Sequence, residues 1–97
     1  MPVRLEVTVR GVVQGVGFRY FVMQLVRSEP VTGWVANGRS GEVRCVIEGD
    51  RPVLDRLLAE LGRGPAGALV EHVQARWLAA TGEFRDFSIR SGGHPGD

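Results

Sequence analysis

A glycine-rich stretch at residues 11–19, of sequence GVVQGVGFR, carries the residue types best suited to bind an anion. It joins a strand-like pattern to a helical one. A helix start leaves four backbone N–H groups without intrahelical partners, and Ser, Thr, Asp or Asn normally satisfies one of them. None of these types occurs between Gly11 and Arg19. The stretch combines glycines that let the backbone approach a ligand, uncapped N–H groups and an arginine guanidinium with two parallel donors. Together these features predict a site for an anion such as a phosphoryl group.

The same composition is also compatible with a turn capped by water, with Arg19 in solvent. Residue types alone leave both interpretations open. The second predicted helix provides a comparison, because Asp50 followed by Pro52 is a conventional helix start. We therefore expect Asp50 to cap that helix and the missing cap to be specific to the glycine-rich loop.

Several other phosphate motifs are incomplete in this chain. Tyr20 stands where a dinucleotide fingerprint needs its third glycine, and a P-loop needs a lysine, which the chain lacks. Cys45 and Arg51 have the spacing of a cysteine phosphatase, but Glu48 and Asp50 between them would repel a phosphate dianion. Because Cys45 lies in an alternating strand pattern, we expect a buried structural thiol.

Metal and nucleophile chemistry have little support in the sequence. His72 lies within a predicted strand and His94 near the C-terminus, and no Cys/His spacing is typical of a metal cage. No serine lies on a nucleophile elbow. An enzyme with this sequence is therefore expected to work without a metal, a cofactor or a covalent nucleophile.

The composition is that of one small globular domain. The chain has 97 residues, 43% hydrophobic and 24% charged, with a formal net charge of +1. So small a net charge argues against a nucleic-acid partner, since such proteins usually cluster many positive charges. A single cysteine excludes an internal disulfide, and there is neither an apolar signal region nor an apolar run of membrane length. We expect a cytoplasmic protein without a membrane partner.

Hydrophobic periodicity predicts seven elements. Alternation indicates strands, and apolar residues at helical spacing indicate helices; the expected order is a strand at 3–10, a helix from 18 to Pro30, strands at 31–37 and 41–48, a helix at 50–61, and strands at 69–78 and 84–90. The first six elements have the order of the split βαβ arrangement, an α+β ferredoxin-like sandwich with two helices on one face of a mainly antiparallel sheet. The domain is expected to span residues 1–90, and residues 91–97 to form a disordered polar tail.

Residues 11–19 also resemble the first signature of the acylphosphatase family. Residues 33–43, of sequence GWVANGRSGEV, running on to Gly49, resemble the second signature at the expected distance. Weaker similarity at 64–65 and 87–90 extends the resemblance over nearly the whole chain, from about Val3 to Arg90. Two long signatures in the expected order are far more specific than one glycine-rich loop. The resemblance implies the same ferredoxin-like fold that the element order predicts.

The resemblance implies a free-standing acylphosphatase, which hydrolyses an acyl phosphate to a carboxylate and inorganic phosphate without a metal. The backbone amides that would hold the phosphoryl oxygens belong to Gly15, Val16, Gly17, Phe18 and Arg19. The Arg19 guanidinium would bind the same group, and Asn37 would hold the attacking water. The implied protein is a monomer that acts on a small molecule, with inorganic phosphate as both product and inhibitor.

Alternatives remain at this point. From the residues alone, Asn37 before Gly38 is more typical of a hairpin turn than of a catalytic group. The related N-terminal domain of hydrogenase-maturation carbamoyltransferases shares the first signature, but those domains usually have proline where this chain has Tyr20. A non-catalytic module that binds anions through the same loop is a third possibility, and turnover of benzoyl phosphate distinguishes it from an enzyme.

Overall fold

The computed structural model of the chain describes residues 1–91 and contains two helices and five strands. Their order is β1 (Pro2–Val12), α1 (Phe18–Val26), β2 (Thr32–Asn37), β3 (Val43–Asp50), α2 (Arg51–Arg63), β4 (Leu69–Ala79) and β5 (Phe87–Ile89). All seven predicted elements are present, with β2 and β3 forming the expected hairpin. Of the predicted tail, residues 92–97 lie outside the described residues.

The five strands form one sheet in the order β4-β1-β3-β2-β5. Every neighbouring pair is antiparallel except β2 and β5, which are parallel. Helix α1 packs over β2 and β5, and α2 over β1, β3 and β4. The predicted α+β sandwich is therefore confirmed, with both helices on one face of a mainly antiparallel sheet.

The core lies between this face of the sheet and the two helices. Alternate residues of β1 point into it, as the period of two requires. The helices contribute side chains spaced three or four residues apart, which is the apolar stripe of a helix that covers a sheet. The buried side chains of these three elements are Leu5, Val7 and Val9 of β1, Phe18, Val22 and Val26 of α1, and Leu54, Leu57 and Leu61 of α2.

Strand β5 is shorter than the sequence predicts. Pairing with β2 covers only Phe87–Ile89, whereas the pattern predicted a strand over 84–90. The connection before β5 is anchored by a side chain of β3, because the backbone N–H groups of Thr81 and Gly82 donate hydrogen bonds to the carboxylate of Glu48. A tertiary contact of this kind leaves no trace in local periodicity.

The expected cap of α2 is also different in the structure. Asp50 occupies the N-cap position with extended backbone angles, but its side chain makes no capping hydrogen bond. One carboxylate oxygen lies 3.7 Å from the N-terminal amine of Met1 instead. The prediction that Asp50 caps α2 and that only α1 lacks a cap is therefore wrong, because neither helix has a side-chain capping hydrogen bond. What distinguishes α1 is its N-cap residue, Gly17, which has a left-handed backbone conformation.

Glu48 is a buried carboxylate that ties the β4–β5 connection to the sheet. Its side chain is 5% exposed and accepts hydrogen bonds from the backbone and hydroxyl of Thr81, the backbone of Gly82 and the guanidinium of Arg4. Burial alone would raise the pKa of the carboxyl group. The hydrogen bonds outweigh burial and lower the pKa of Glu48 below its ordinary value.

We predict that Glu48→Gln lowers the free energy of unfolding by about 1–3 kcal/mol near neutral pH, because the amide leaves some of these donors unsatisfied. The lowered pKa means that the carboxylate contributes stability above its unfolded pKa and loses it as pH falls through the folded pKa. The difference between wild type and variant should therefore shrink in acid, as measured by urea unfolding over a pH series. Exposed Glu71→Gln is the control. A difference that stays constant from neutral pH to strong acid would contradict this role.

Candidate active site

The loop between β1 and α1 turns through two glycines with left-handed backbone angles. Gly15 has φ of 75° and Gly17 has φ of 79°, a region that side chains disfavour. A Cβ atom built on either glycine would meet no other atom within 4 Å. The requirement for glycine is therefore conformational, and the loop has open space beside its backbone.

This loop delivers the start of α1 without a side-chain cap. Gly17 is the N-cap residue, and its carbonyl accepts the first helical hydrogen bond from the backbone of Phe21 at 2.9 Å. The first turn contains no acidic residue. Because the earliest N–H groups of a helix have no intrahelical acceptor, they are available to a ligand that approaches the loop.

The loop borders a cavity of about 270 Å³. Its lining residues are Val13, Gly15, Gly17, Phe18, Arg19, Tyr20, Asn37 and Ile89. The structure therefore brings Arg19 and Asn37, which are distant in sequence, to one cavity. Val16 packs its side chain against the core, so its predicted contribution to the site comes only from its backbone N–H.

The sheet topology explains why Asn37 lies beside this loop. Strands β1 and β2 are both antiparallel to β3, so they run in the same direction and end at the same edge of the sheet. Val43 of β3 is in register with Val9 on one side and with Asn37 on the other. The loop that follows β1 and the last residue of β2 are therefore neighbours in space.

Asn37 is a buried polar residue. It is 8% exposed, and its backbone continues the ladder with β3, so the turn begins only after it. Within residues 1–91 no protein group forms a hydrogen bond with its side-chain amide. Buried polar groups normally have such partners. An unpartnered amide at this cavity can therefore donate to or accept from a bound molecule.

Arg19 is a half-buried residue in the first turn of α1. A cation near the positive end of a helix is unfavourable by roughly 0.3–1 kcal/mol at an exposed site. An anion in the cavity would offset this repulsion from both the guanidinium and the helix start. Arg19 and the N–H dipoles at the start of α1 both place positive charge beside the cavity.

Gln14 connects the loop to the β2–β3 hairpin, a role that the sequence did not reveal. Its Nε2 donates hydrogen bonds to the carbonyl oxygens of Gly38 at 2.7 Å and Glu42 at 2.9 Å. These two residues also close the hairpin turn, since the Gly38 N–H donates to the Glu42 carbonyl at 2.8 Å. Gln14 therefore fixes the loop relative to the strand that ends at Asn37. In the sequence, the signal that could have pointed to this role is that Gln14 is the one polar side chain among the glycines, valines and phenylalanine of residues 11–18.

The structure does not support the alternative chemistries that the sequence raised. Cys45 is 1% exposed, and burial raises the pKa of its thiol far above the ordinary value, so it is the predicted structural thiol rather than a nucleophile. Within residues 1–91 no group of three or more His, Cys, Asp or Glu side chains is placed to hold a metal ion. No helix in this part of the chain is both long and apolar enough to cross a membrane.

Comparison with known proteins identifies the family. Residues 5–89 match the family model for acylphosphatase. The chain belongs to the acylphosphatase family. Acylphosphatases hydrolyse acyl phosphates, and the chain is accordingly a hydrolase that acts on small-molecule acyl phosphates. The resemblance of the two signatures to this family is confirmed.

Individual relatives agree with this assignment. The chain is 42% identical over 86 residues to an acylphosphatase from Roseiflexus sp. (strain RS-1), a match that covers 89% of this chain and 92% of the relative. The crystal structure of acylphosphatase from Bacillus subtilis superimposes with a TM-score of 0.86 at 30% identity, covering 91% of this chain and 98% of the other. Full-length HypF in a phosphate- and nucleotide-bound form gives a TM-score of 0.84 at 27% identity. That match covers 96% of this chain and 13% of HypF, so a similar domain also occurs within a much larger protein.

We predict that Gln14→Ala lowers kcat with benzoyl phosphate by a factor of about 10 to 100, because a small displacement between the loop and Asn37 misaligns reacting groups. The inhibition constant for inorganic phosphate should change by less than about twofold, since the variant leaves the loop amides and Arg19 in place. Gln74→Ala on β4 is the matched control and should leave both constants unchanged. Equal losses of kcat and phosphate affinity would show that Gln14 shapes the phosphate site itself and would contradict a role in positioning Asn37.

Proposed function

We propose that the backbone amides of residues 15–19, the Arg19 guanidinium and the Asn37 side chain carry out metal-independent hydrolysis of the acyl phosphate. The observation that carries this proposal is the meeting of Arg19 and the buried Asn37 amide in the cavity beside the uncapped helix start. The loop supplies donors for an anion, and Asn37 supplies a group that can orient a neutral molecule. These are the two components that transfer of a phosphoryl group to water requires.

The loop and Arg19 hold the phosphoryl group. Backbone N–H groups at a helix start point towards the ligand, and the helix dipole favours its negative charge. A guanidinium presents two parallel N–H donors to two phosphoryl oxygens, which fixes the orientation of the group as well as its position. The same donors stabilise the charge on the equatorial oxygens in the loose transition state of phosphoryl transfer.

Asn37 holds the attacking water through its side-chain amide. The oxygen of this water forms a bond to phosphorus while the bond between phosphorus and the acyl oxygen breaks. The acyl group leaves as a carboxylate, and a phosphoryl oxygen accepts the proton that the water loses. The products are one carboxylate and one inorganic phosphate, so every atom of the substrate and the water is accounted for.

The leaving group explains why so few side chains suffice. A carboxylic acid has a pKa of about 4, so the carboxylate departs without a proton from a general acid. Its departure also needs no metal to neutralise a developing alkoxide. Inorganic phosphate presents the same oxygens as the substrate, and it therefore acts as an inhibitor as well as a product.

The cellular setting is also part of the proposal. The reduced, buried Cys45 is compatible with a cytoplasmic protein, and cytosolic thiols are normally kept reduced. The net charge of +1 provides no broad positive surface for nucleic acid. We therefore place the protein in the cytoplasm as a monomer that needs neither a membrane, a nucleic acid nor a cofactor for its activity.

Phosphate binding is the first test of this site. A ligand that binds only the folded state at 100 times its Kd stabilises the protein by about 2.7 kcal/mol, so inorganic phosphate should raise the Tm of the wild-type chain. Arg19→Ala should abolish the shift. Arg19→Lys should restore little of it, because an ammonium group lacks the planar fork. Exposed Arg76→Ala on β4 is the matched control. Equal protection of wild type and Arg19→Ala by phosphate would contradict the proposed site.

The role of Asn37 predicts a different pattern. Asn37→Ala should lower kcat with benzoyl phosphate by a factor of about 10² or more, as expected for loss of one preorganised hydrogen-bonding group. Phosphate protection and the circular dichroism spectrum should remain those of the wild type, because the water and not the phosphoryl group contacts this amide. Near-normal turnover in Asn37→Ala would contradict the proposed water-positioning role. A wild-type chain that binds phosphate but does not hydrolyse benzoyl phosphate would contradict the whole mechanism.

A further inference from the structure

A second cavity of about 640 Å³ lies beside the phosphate-site cavity, in a groove between α1 and β5. The α1–β5 groove shares two lining residues with that cavity, Tyr20 and Ile89. Met23 of α1 and Phe87 of β5 continue its walls away from the phosphate site. The two cavities therefore adjoin at Tyr20 and Ile89, and the part of the groove next to this junction has apolar walls.

The junction between them exposes apolar surface that the fold does not require. Tyr20 is 67% exposed and Ile89 is 46% exposed, although both are large side chains. Met23 and Phe87 are half-buried behind them. Single exposed apolar residues are common on proteins, whereas a contiguous apolar patch beside a binding site is typical of ligand contact.

The charged groups of the groove lie towards its far end. Arg27, Glu29 and Asp86 line that part. The Arg27 guanidinium lies 3.4 Å from the side-chain oxygen of Gln24, and Arg56 of α2 forms an ion pair with Glu29 at 3.2 Å. Both acidic residues disfavour an anion here. The part of the groove beside the phosphate site thus suits an uncharged apolar group that is attached to an anion bound in that site.

We propose that the α1–β5 groove binds the acyl group of the substrate and makes the protein selective for acyl phosphates with an apolar chain or ring. This inference rests on the proposed function, which places the phosphoryl group beside the glycine-rich loop. In an acyl phosphate a single oxygen joins phosphorus to the acyl carbon, so the acyl group must leave the phosphate site within a few bond lengths. The exit bordered by Tyr20 and Ile89 leads directly into the groove.

A different exit leads to the other side of the hairpin. A cavity of about 430 Å³ there contains Arg39, Arg44 and Arg90 and would suit an acyl group with a second negative charge. It shares only Asn37 with the phosphate-site cavity. The α1–β5 groove shares two exposed side chains, Tyr20 and Ile89, with the phosphate-site cavity, and the structure therefore favours this apolar route. The two routes predict opposite substrate preferences, which makes the choice measurable.

The test is kcat/KM for acetyl, butyryl, hexanoyl, benzoyl and succinyl phosphate. In the wild-type chain kcat/KM should rise by a factor of about 3 for each added methylene, because each one buries apolar surface in the groove. Benzoyl phosphate should exceed acetyl phosphate, and succinyl phosphate should fall below butyryl phosphate. Met23→Gln should remove most of the dependence on chain length. Ile89→Thr provides a second variant on the other wall if Met23→Gln does not fold.

Leu69→Gln is the matched control, because Leu69 is an exposed apolar residue on β4 at the opposite edge of the sheet. It should retain the wild-type dependence on chain length. Equal kcat/KM for acetyl and hexanoyl phosphate, or a preference for succinyl phosphate, would overturn the groove assignment and leave the proposed function intact. Retention of the chain-length dependence in both groove variants would also overturn it. A wild-type chain that hydrolyses none of the five compounds would overturn the proposed function itself.

Discussion

The left-handed conformations of Gly15 and Gly17 are the constraint on which the site depends. They let the chain turn from the end of β1 into α1 within five residues while its N–H groups remain open to a ligand. A side chain in this conformation costs roughly 1–2 kcal/mol per residue. The space beside the loop backbone is empty, because a Cβ atom built on either glycine would have no neighbouring atom within 4 Å. The proposed anion site thus depends on backbone geometry before any side chain is considered.

The rest of the fold holds this loop against the groups that complete it. Because β1 and β2 run in the same direction on either side of β3, their ends meet at one edge of the sheet. Gln14 then joins the loop to the hairpin through two carbonyl oxygens. Glu48 ties down the connection that leads to β5, and β5 carries Ile89 to the same cavity. Distant segments therefore act together on a site that involves few side chains.

Much of this arrangement could be predicted from the sequence. Alternation identified β1, helical spacing identified α1, and the absence of a capping residue, which is a local signal, predicted the uncapped helix start at Gly17. The two signatures indicated Asn37, whose burial and place in the β2–β3 ladder distinguish it from an ordinary turn residue. These features are encoded by neighbouring residues, and so a local pattern reveals them.

The features that could not be predicted depend on contacts between distant residues. Gln14 binds carbonyl groups 24 and 28 positions away, and a carbonyl leaves no sequence signal. The anchoring of the β4–β5 connection depends on Glu48, which is 33 positions from Thr81. The identity of Asp50 placed it correctly at the N-cap, but its carboxylate lies near Met1 because the chain terminus happens to be close. The residue type of Asp50 indicated its N-cap position but could not specify which group its carboxylate contacts.

Binding of the phosphoryl group by the backbone of the glycine-rich loop is the proposal on which the mechanism depends. Its most direct test is a titration of the ¹⁵N-labelled protein with inorganic phosphate, followed by NMR of the amide signals. We predict that the largest saturable shifts occur at the backbone N–H groups of residues 15–19 and that the side-chain amide of Asn37 shifts with the same dissociation constant. Shifts confined to other parts of the chain, or no saturable shift in the loop, would contradict it.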